Sequence, residues 1–205
     1  MYLNNPEYVK IGEKKYKINT DFMVAIECDA IARESSIGEY ERALAIIYKL
    51  FGDEGLNDFE NHQKLLELAI KYLSCGEEIK EQKKDEKKDF DYKQDFRLIK
   101  ASFISDYGID LEKKKMHWWD FYMLLNGLSC SELGNCCILN KIRDIRTRDP
   151  KEIKDKKERD KLIEAKKRWA LKDEKQPNAK QRESIENLKR IIGRMWKHGC
   201  WRISN

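Results

Sequence analysis

The sequence is poor in the residues that mark turn-rich folds. Only three of its 205 residues are proline and ten are glycine, whereas 40% are hydrophobic and 39% are charged. Lys, Glu, Leu and Ile dominate, which favours helices over the composition typical of β-sandwiches and barrels. The apolar fraction is large enough to bury a core. We therefore expect a globular, mostly-α fold.

Long hydrophobic runs are also missing, and the N-terminus has no basic segment followed by an apolar one. A membrane-spanning helix needs roughly 20 apolar residues in a row, and a secretory signal needs that basic-then-apolar order. We expect no membrane partner and a cytoplasmic protein. Its six cysteines form no disulfide-like framework, so reduced thiols are expected.

Patterns that mark catalytic or cofactor sites are absent as well. There is no glycine-rich phosphate loop and no carboxylate cluster with the spacing of acid/base chemistry. His117 and Asp120 could pair at i, i+3 spacing, but no nucleophile stands beside them in the sequence. We predict a protein that is not an enzyme, without catalytic, cofactor-binding or metal-binding residues. Zinc-site spacing is missing from the other candidate ligands, namely Cys130, Cys136, Cys137, His198 and Cys200.

One stretch, Met116–Leu128, is far more apolar than the rest of the chain. It contains two tryptophans, a phenylalanine, a tyrosine and five Met or Leu side chains. Burying apolar surface contributes ~25 cal/mol per Å², so we expect a helix covered on nearly its whole circumference. An aromatic binding groove is the alternative, but a Trp/Phe/Leu run at helical spacing favours a core helix.

Hydrophobic periodicity predicts a small N-terminal β-hairpin followed by about seven helices in an irregular bundle, with a charged hinge and a protruding basic C-terminal helical region. The hinge contains a single apolar residue, Ile79. The predicted divisions are 1–76 (hairpin plus three-helix unit), 77–88 (charged hinge), 89–172 (helical core with a charged helix arm), 173–180 (linker) and 181–205 (amphipathic C-terminal helix).

Local signals place several helix ends. Asn19 or Thr20 can cap the first helix, and Gly108 followed by an apolar residue is typical of a left-handed helix end. Ser129, with a glutamate three residues later, has the spacing of a capping box, so a helix is predicted to begin there. Asp149 followed by proline predicts the start of the next helix.

The net charge of +5 hides an asymmetry along the chain. Residues 1–140 carry 20 basic and 26 acidic side chains, whereas residues 141–205 carry 22 and 11. A basic region on an acidic body indicates either an acidic partner or nucleic acid. Interleaved tryptophans could stack on bases, but a solvated Lys/Glu surface is the alternative. The candidate phosphate-binding residues are Arg143, Arg146, Arg148, Lys166, Lys167, Arg168, Lys189, Arg190 and Arg194, with Trp169, Trp196 and Trp201 among them.

The last predicted helix has an apolar strip at 3-4-3 spacing, a pattern suited to packing against another helix. The preceding helix has a thinner apolar face. We predict partner contacts along both. The predicted partner-binding residues are Ile185, Leu188, Ile192, Met195 and Trp196 on the strip, and Leu162 and Trp169 on the thin face.

Four segments between Asp89 and Leu171 are specific enough to suggest a family. They are DFDYKQDFRLIKASFISDYGIDL (Asp89–Leu111), MHWWDFYMLLNGL (Met116–Leu128), IRDIRTRD (Ile142–Asp149) and IKDKKERDKLIEAKKRWAL (Ile153–Leu171). In this order they resemble the "gp fifteen-like" tail-assembly proteins of long-tailed phages and prophages of Gram-positive bacteria. The start at Tyr8–Phe22 also resembles tail-assembly chaperones.

The resemblance implies a chaperone that coats the tape-measure protein until tail-tube (major tail) protein subunits displace it. A long helical client with an apolar seam aggregates unless it is covered, so such a role is physically reasonable. It also implies self-association, action in the cytoplasm of the bacterial host and absence from the mature virion. The alternatives are a basic nucleic-acid-binding accessory protein and a permanent structural component of the tail.

Overall fold

The structure, a computed structural model, describes residues 5–77, 88–130 and 136–172. Within these ranges the chain forms two short strands and seven α-helices, which confirms the predicted mostly-α fold with an N-terminal hairpin. No helix in these ranges is both long and apolar enough to cross a membrane. The elements are β1 (Tyr8–Ile11), β2 (Lys14–Lys17), α1 (Phe22–Arg33), α2 (Glu39–Leu56), α3 (His62–Leu73), α4 (Phe96–Tyr107), α5 (Trp118–Asn126), α6 (Ile138–Thr147) and α7 (Lys156–Trp169).

The described residues group into two compact units, each built from segments that are distant along the chain. The predicted boundary at 77–88 falls mostly outside the described residues and stays a prediction. The hairpin unit comprises Tyr8–Asn19 and Glu27–Ala69, and the aromatic unit comprises residues 5–7, Thr20–Ile26 and the described part of Ile70–Lys172.

Strands β1 and β2 pair antiparallel, with Val9 opposite Tyr16. The turn between them uses Gly12 at φ +57°, a conformation that favours glycine. Tyr16 is fully buried, and its hydroxyl donates a hydrogen bond to the Asp58 carboxylate. Lys14 binds the same carboxylate at 2.7 Å. The bonds from Lys14 and then Tyr16 lower the pKa of Asp58 to about 2, so this carboxylate stabilises the hairpin unit as an anion.

Two helices complete the core of the hairpin unit. The buried face of α2 includes Ile47 and Leu50, and the helix is interrupted at Gly52, where φ is +64°. One further turn then runs to Leu56. The first part of α3 turns Leu65 towards the core, where the side chain is fully buried. Each helix therefore buries one apolar stripe, as expected for amphipathic surface helices.

In the aromatic unit, α4 ends as the sequence predicts. Gly108 has φ +67° and donates its N–H to the carbonyl of Ile104 at 3.0 Å. The N–H of Ile109 bonds the carbonyl of Phe103 at 3.2 Å. A left-handed glycine thus satisfies carbonyls that the helix itself leaves free.

The predicted cap of α1 at Asn19 or Thr20 is wrong. Asp21 fills this role, because its Oδ1 accepts the N–H of Met23 at 2.9 Å. The carbonyl of Thr20 is already bound by the N–H of Trp118 at 2.8 Å. Extended backbone pairing therefore continues to Asp21 and delays the start of the helix.

The helix start predicted at Ser129 is also wrong, since α6 begins at Ile138 with Cys137 as its N-cap. Ser129 donates its N–H to Asp106 at 2.8 Å, and its carbonyl accepts the N–H of Cys137 at 3.0 Å. That carbonyl bonds the N-cap residue of α6, so Ser129 is not itself the N-cap. The bonds to Asp106 and Cys137 replace the local capping box that the sequence predicts.

The predicted start at Asp149 is partly correct. Its Oδ1 accepts the N–H of Lys151 at 2.9 Å, but only the single 3-10 turn Pro150–Glu152 follows. Helix α7 begins after Asp155, whose Oδ1 accepts the N–H of Glu158 at 2.8 Å. The segment thus contains two aspartate caps, and the second one starts the α-helix.

Candidate functional site

Adjacent tryptophans at the start of α5 bind the end of α3. Trp118 Nε1 donates to the carbonyl of Leu73 at 3.0 Å, and Trp119 Nε1 donates to the carbonyl of Tyr72 at 2.9 Å. The last carbonyls of a helix have no intrahelical donors, and here two indole N–H groups serve two of them. We call this arrangement the indole clamp. It gives the tryptophan pair a structural role.

Phe121 lies at the centre of the core of the aromatic unit. Its ring stacks on Phe22, Phe103 and Trp118, with centroid distances of 4.6, 5.3 and 5.8 Å. The core role of this helix is thus correct, but burial of its whole circumference is not, because Met123 is 62% exposed. Met123 lies two residues from Phe121 along the chain, which turns it to the opposite face of a helix with 3.6 residues per turn.

His117 and Asp120, the candidate catalytic pair, have separate structural partners. His117 Nδ1 accepts the N–H of Trp119 at 3.0 Å, and its Nε2 donates to the carbonyl of Pro6 at 3.1 Å. The Asp120 carboxylate accepts a hydrogen bond from the Asn5 amide at 2.7 Å. With both ring nitrogens occupied, His117 has no free position from which to accept a substrate proton.

A buried ion pair joins α6 to the segment before α4. The Arg146 guanidinium binds the two Asp95 oxygens at 2.6 and 2.8 Å, and their side chains are only 9% and 4% exposed. Arg146 also donates to the carbonyls of Trp169 at 2.6 Å and Asp89 at 2.9 Å. Such a bidentate, fully hydrogen-bonded pair is the arrangement in which a buried charge is tolerated.

Further charges surround this pair. Arg143 binds the Asp89 carboxylate through Nε at 2.8 Å and lies over the Phe90 ring at 5.0 Å. Asp91, which is 1% exposed, accepts the backbone N–H groups of Lys93 and Gln94 at 2.9 Å each. The arginine–carboxylate network is defined as Asp89, Asp91, Asp95, Arg143 and Arg146.

The network and its neighbours occupy much of the predicted phosphate-binding cluster. Lys166 Nζ donates to the carbonyls of Arg146 at 2.7 Å and Arg148 at 2.6 Å, and Arg148 pairs with Asp144 at 2.7 Å. Arg143 and Arg146 bind carboxylates, as described above. Lys167 and Arg168 are exposed. Most of the described cations of the cluster therefore already have partners within the chain.

The structure describes only two of the predicted partner-binding residues, Leu162 and Trp169. Leu162 is 9% exposed and forms part of the core, and Trp169 is half-buried with its carbonyl bound to Arg146. Their contact with a partner stays a prediction. The residues of the C-terminal strip, Ile185, Leu188, Ile192, Met195 and Trp196, lie outside the described residues.

The described part of the aromatic unit exposes six large apolar side chains outside the predicted partner-binding set, including Met123 and Ile138, which the sequence placed on buried helix faces. Several follow or precede a buried apolar residue, as Ile104 follows Phe103 and Ile163 follows Leu162. Two adjacent apolar residues in a helix point towards different faces. When one of them is in the core, the other is therefore a candidate for an exposed apolar side chain. The exposed set is Met23 (42%), Ile70 (40%), Ile104 (47%), Met123 (62%), Ile138 (39%) and Ile163 (36%).

None of the five described cysteines is in a disulfide bond. Burial raises the pKa of the Cys28 and Cys75 thiols to about 12 in each case. Cys130 and Cys136 lie with their sulfur atoms 3.3 Å apart. In the ranges the structure covers, no three His, Cys, Asp or Glu side chains are grouped closely enough to hold a metal ion.

Comparison with known proteins identifies a bacteriophage protein. The chain belongs to the family described as "Bacteriophage Gp15 protein", whose sequence model matches residues 3–171. The match includes all four segments that carry the resemblance and extends it to the N-terminal hairpin. No curated protein and no solved structure is significantly similar to the chain.

Proposed function

We propose that this phage protein is a non-catalytic tail-assembly chaperone whose client is the tape-measure protein. The observation that carries the proposal is the family membership over residues 3–171, together with the resemblance of segments such as Met116–Leu128 to tail-assembly proteins. The proposed role also includes recruitment of tail-tube subunits and self-association. It takes place in the host cytoplasm, and the protein leaves before the virion is complete.

The exposed apolar side chains of the aromatic unit support a client-binding role. Met123 is 62% exposed and Ile104 is 47% exposed, although water disfavours such exposure. Methionine is flexible and polarizable, and it is common on surfaces that bind varied apolar helices. A helical client with an apolar seam would cover these side chains in a helix-on-surface contact. Weak contacts repeated over many copies suit a chaperone that must later be displaced.

The arginine–carboxylate network supports a role other than nucleic-acid binding. Arg143 and Arg146 are committed to carboxylates, and Lys166 is committed to backbone carbonyls. Binding a phosphate with Arg146 would break its buried ion pair with Asp95, at a cost of about 3–5 kcal/mol. Fluorescence anisotropy with random DNA at low salt tests this point, since counterion release favours binding most under those conditions. Submicromolar affinity there would favour the nucleic-acid alternative.

Co-expression with the tape-measure protein of the same phage tests the chaperone role. We expect the soluble fraction of the client to rise at least several-fold, and to fall again with Met123→Glu plus Ile104→Glu. The matched control is Lys113→Glu, because the Lys113 side chain is 85% exposed and no buried group depends on it. A client that stays insoluble with the wild-type chain would overturn the proposal.

Two further measurements separate the alternatives. The protein should be absent from purified virions, and stoichiometric recovery there would favour a permanent tail component instead. Truncation after Asn178 removes the apolar strip at Ile185–Trp196 and should weaken both self-association and client binding. If both stay unchanged, the strip is not a partner-binding surface.

A further inference from the structure

Hydrogen bonds join the residues on either side of Cys130 and Cys136. The N–H of Cys137 donates to the carbonyl of Ser129 at 3.0 Å. The Asn140 side-chain amide donates to the carbonyls of Leu128 at 3.1 Å and Ser129 at 3.2 Å. Ser129 is fixed in turn by Asp106, which accepts its N–H at 2.8 Å. All of these residues are described by the structure, and their bonds hold Ser129 next to Cys137.

Cys130 directly follows Ser129, and Cys136 directly precedes Cys137. Their sulfur atoms are 3.3 Å apart, with the Cys136 thiol donating to Cys130 Sγ. A disulfide bond is about 2.05 Å long, so the two sulfur atoms must come about 1.2 Å closer to bond. Cys130 is exposed and Cys136 is partly exposed, so a small oxidant can reach both.

The other described thiols are poorly suited to this chemistry. Cys137 is 4% exposed, and its sulfur accepts the N–H of Asn140 at the start of α6. Cys28 is fully buried. Burial holds the pKa of the Cys28 and Cys75 thiols far above neutrality, and the thiolate is the reactive form. The pKa of the Cys130 thiol is also raised, chiefly by its hydrogen bond with Cys136, so accessibility and pairing, not a low thiol pKa, distinguish Cys130 and Cys136.

We propose that Cys130 and Cys136 form a reversible modification site, at which a low-molecular-weight disulfide such as oxidised glutathione converts the two thiols into an intramolecular disulfide. The Cys130 thiolate attacks one sulfur of the oxidant, which forms a mixed disulfide and releases one small thiol. The Cys136 thiolate then attacks the Cys130 sulfur and releases the second small thiol. Two protein thiols are oxidised, one disulfide is reduced, and the two protons pass to the released thiols.

Incubation of the full chain with mixtures of oxidised and reduced glutathione tests the proposal. The oxidised protein should lose two hydrogen atoms in mass and migrate as a single chain in non-reducing denaturing electrophoresis, and excess reduced glutathione should restore the thiols. Cleavage after Glu132 separates Cys130 from Cys136 and Cys137, so a linked peptide pair would show that Cys130 is bonded to one of these two residues.

Matched variants identify the partners. Cys130→Ser and Cys136→Ser should each abolish the mass loss, whereas Cys137→Ser keeps a capping atom at the start of α6 and should leave it unchanged. Cys75→Ser should also have no effect. Circular dichroism of each variant verifies that it is folded. The proposal is overturned if the mass loss requires Cys137, if a glutathione adduct on Cys130 accumulates without closing, or if only dimers form between chains.

Discussion

Replacement of Arg146 by methionine should strongly destabilise the aromatic unit. Methionine fills similar space but leaves the Asp95 carboxylate, whose side chain is 4% exposed, without its cation. It also removes the donors for the carbonyls of Trp169 and Asp89. Removing one partner of a buried ion pair costs about 3–5 kcal/mol. For a chain of this size the melting temperature should fall by roughly 6–20 °C, at about 2–4 °C per kcal/mol.

Urea unfolding followed by circular dichroism measures this loss, and Arg148→Met is the matched control. Arg148 also pairs with an aspartate, Asp144, but their side chains are 52% and 55% exposed. An exposed pair contributes about 0–1 kcal/mol, so the control should lose little. The combination Arg146→Met with Asp95→Leu leaves no unpaired charge and should be more stable than Arg146→Met alone. Equal losses for Arg146→Met and Arg148→Met would refute the reasoning.

Five other variants, at four positions, test the two units. Trp118→Ala should cost about 3–5 kcal/mol in urea unfolding because its indole is 4% exposed, and half-buried Trp119→Ala should cost less; the reverse order would contradict the burial of these rings. Asp58→Asn should destabilise the chain at pH 7 and flatten its stability profile at low pH. Because the folded-state pKa of Asp58 is about 2 rather than 3.8, its carboxylate contributes fully above about pH 4 and loses this contribution as the pH falls towards 2; an unchanged profile between pH 4 and 2 would contradict this. Gly108→Ala forces a side chain into φ +67° and should cost about 1 kcal/mol in a thermal melt, with Gly108→Asn less affected; a stabilised alanine variant would show that the left-handed cap is not required.

Periodicity and local turn chemistry predicted the fold class because the signals that set it are short-range. Alternation around Gly12 specifies the hairpin, and a glycine followed by an apolar residue specifies the end of α4. The apolar density of Met116–Leu128 identified the core helix for the same reason. Its exposed face was missed because composition alone does not say which side of a helix is covered, and Met123 lies on the open side.

Helix starts were predicted less well, since capping residues compete with distant partners. Ser129 has the right spacing for a cap, but its backbone N–H and carbonyl bond Asp106 and Cys137 instead. The arginine-rich cluster was open to a nucleic-acid interpretation for a related reason. The sequence shows the charges of Arg143 and Arg146. It does not show that Asp89 and Asp95 lie beside them and neutralise them. Candidate partner contact at Leu162 and Trp169 rested on amphipathicity, which does not distinguish a docking face from a packing face.

The indole clamp has a consequence for how the chain is made. Helix α3 ends at Leu73. The indole donor to the Leu73 carbonyl, Trp118, lies 45 residues after Leu73, and the indole donor to the Tyr72 carbonyl, Trp119, lies 47 residues after Tyr72. A ribosome synthesises the chain from its N-terminus, so α3 emerges well before the groups that complete it. Until α5 is made, the Leu73 and Tyr72 carbonyls lack their indole donors, and Phe22 lacks the Phe121 ring that stacks on it. Exposed apolar groups favour aggregation, so we expect a translational pause between α3 and α5 to lengthen the time for which the nascent chain is prone to aggregate.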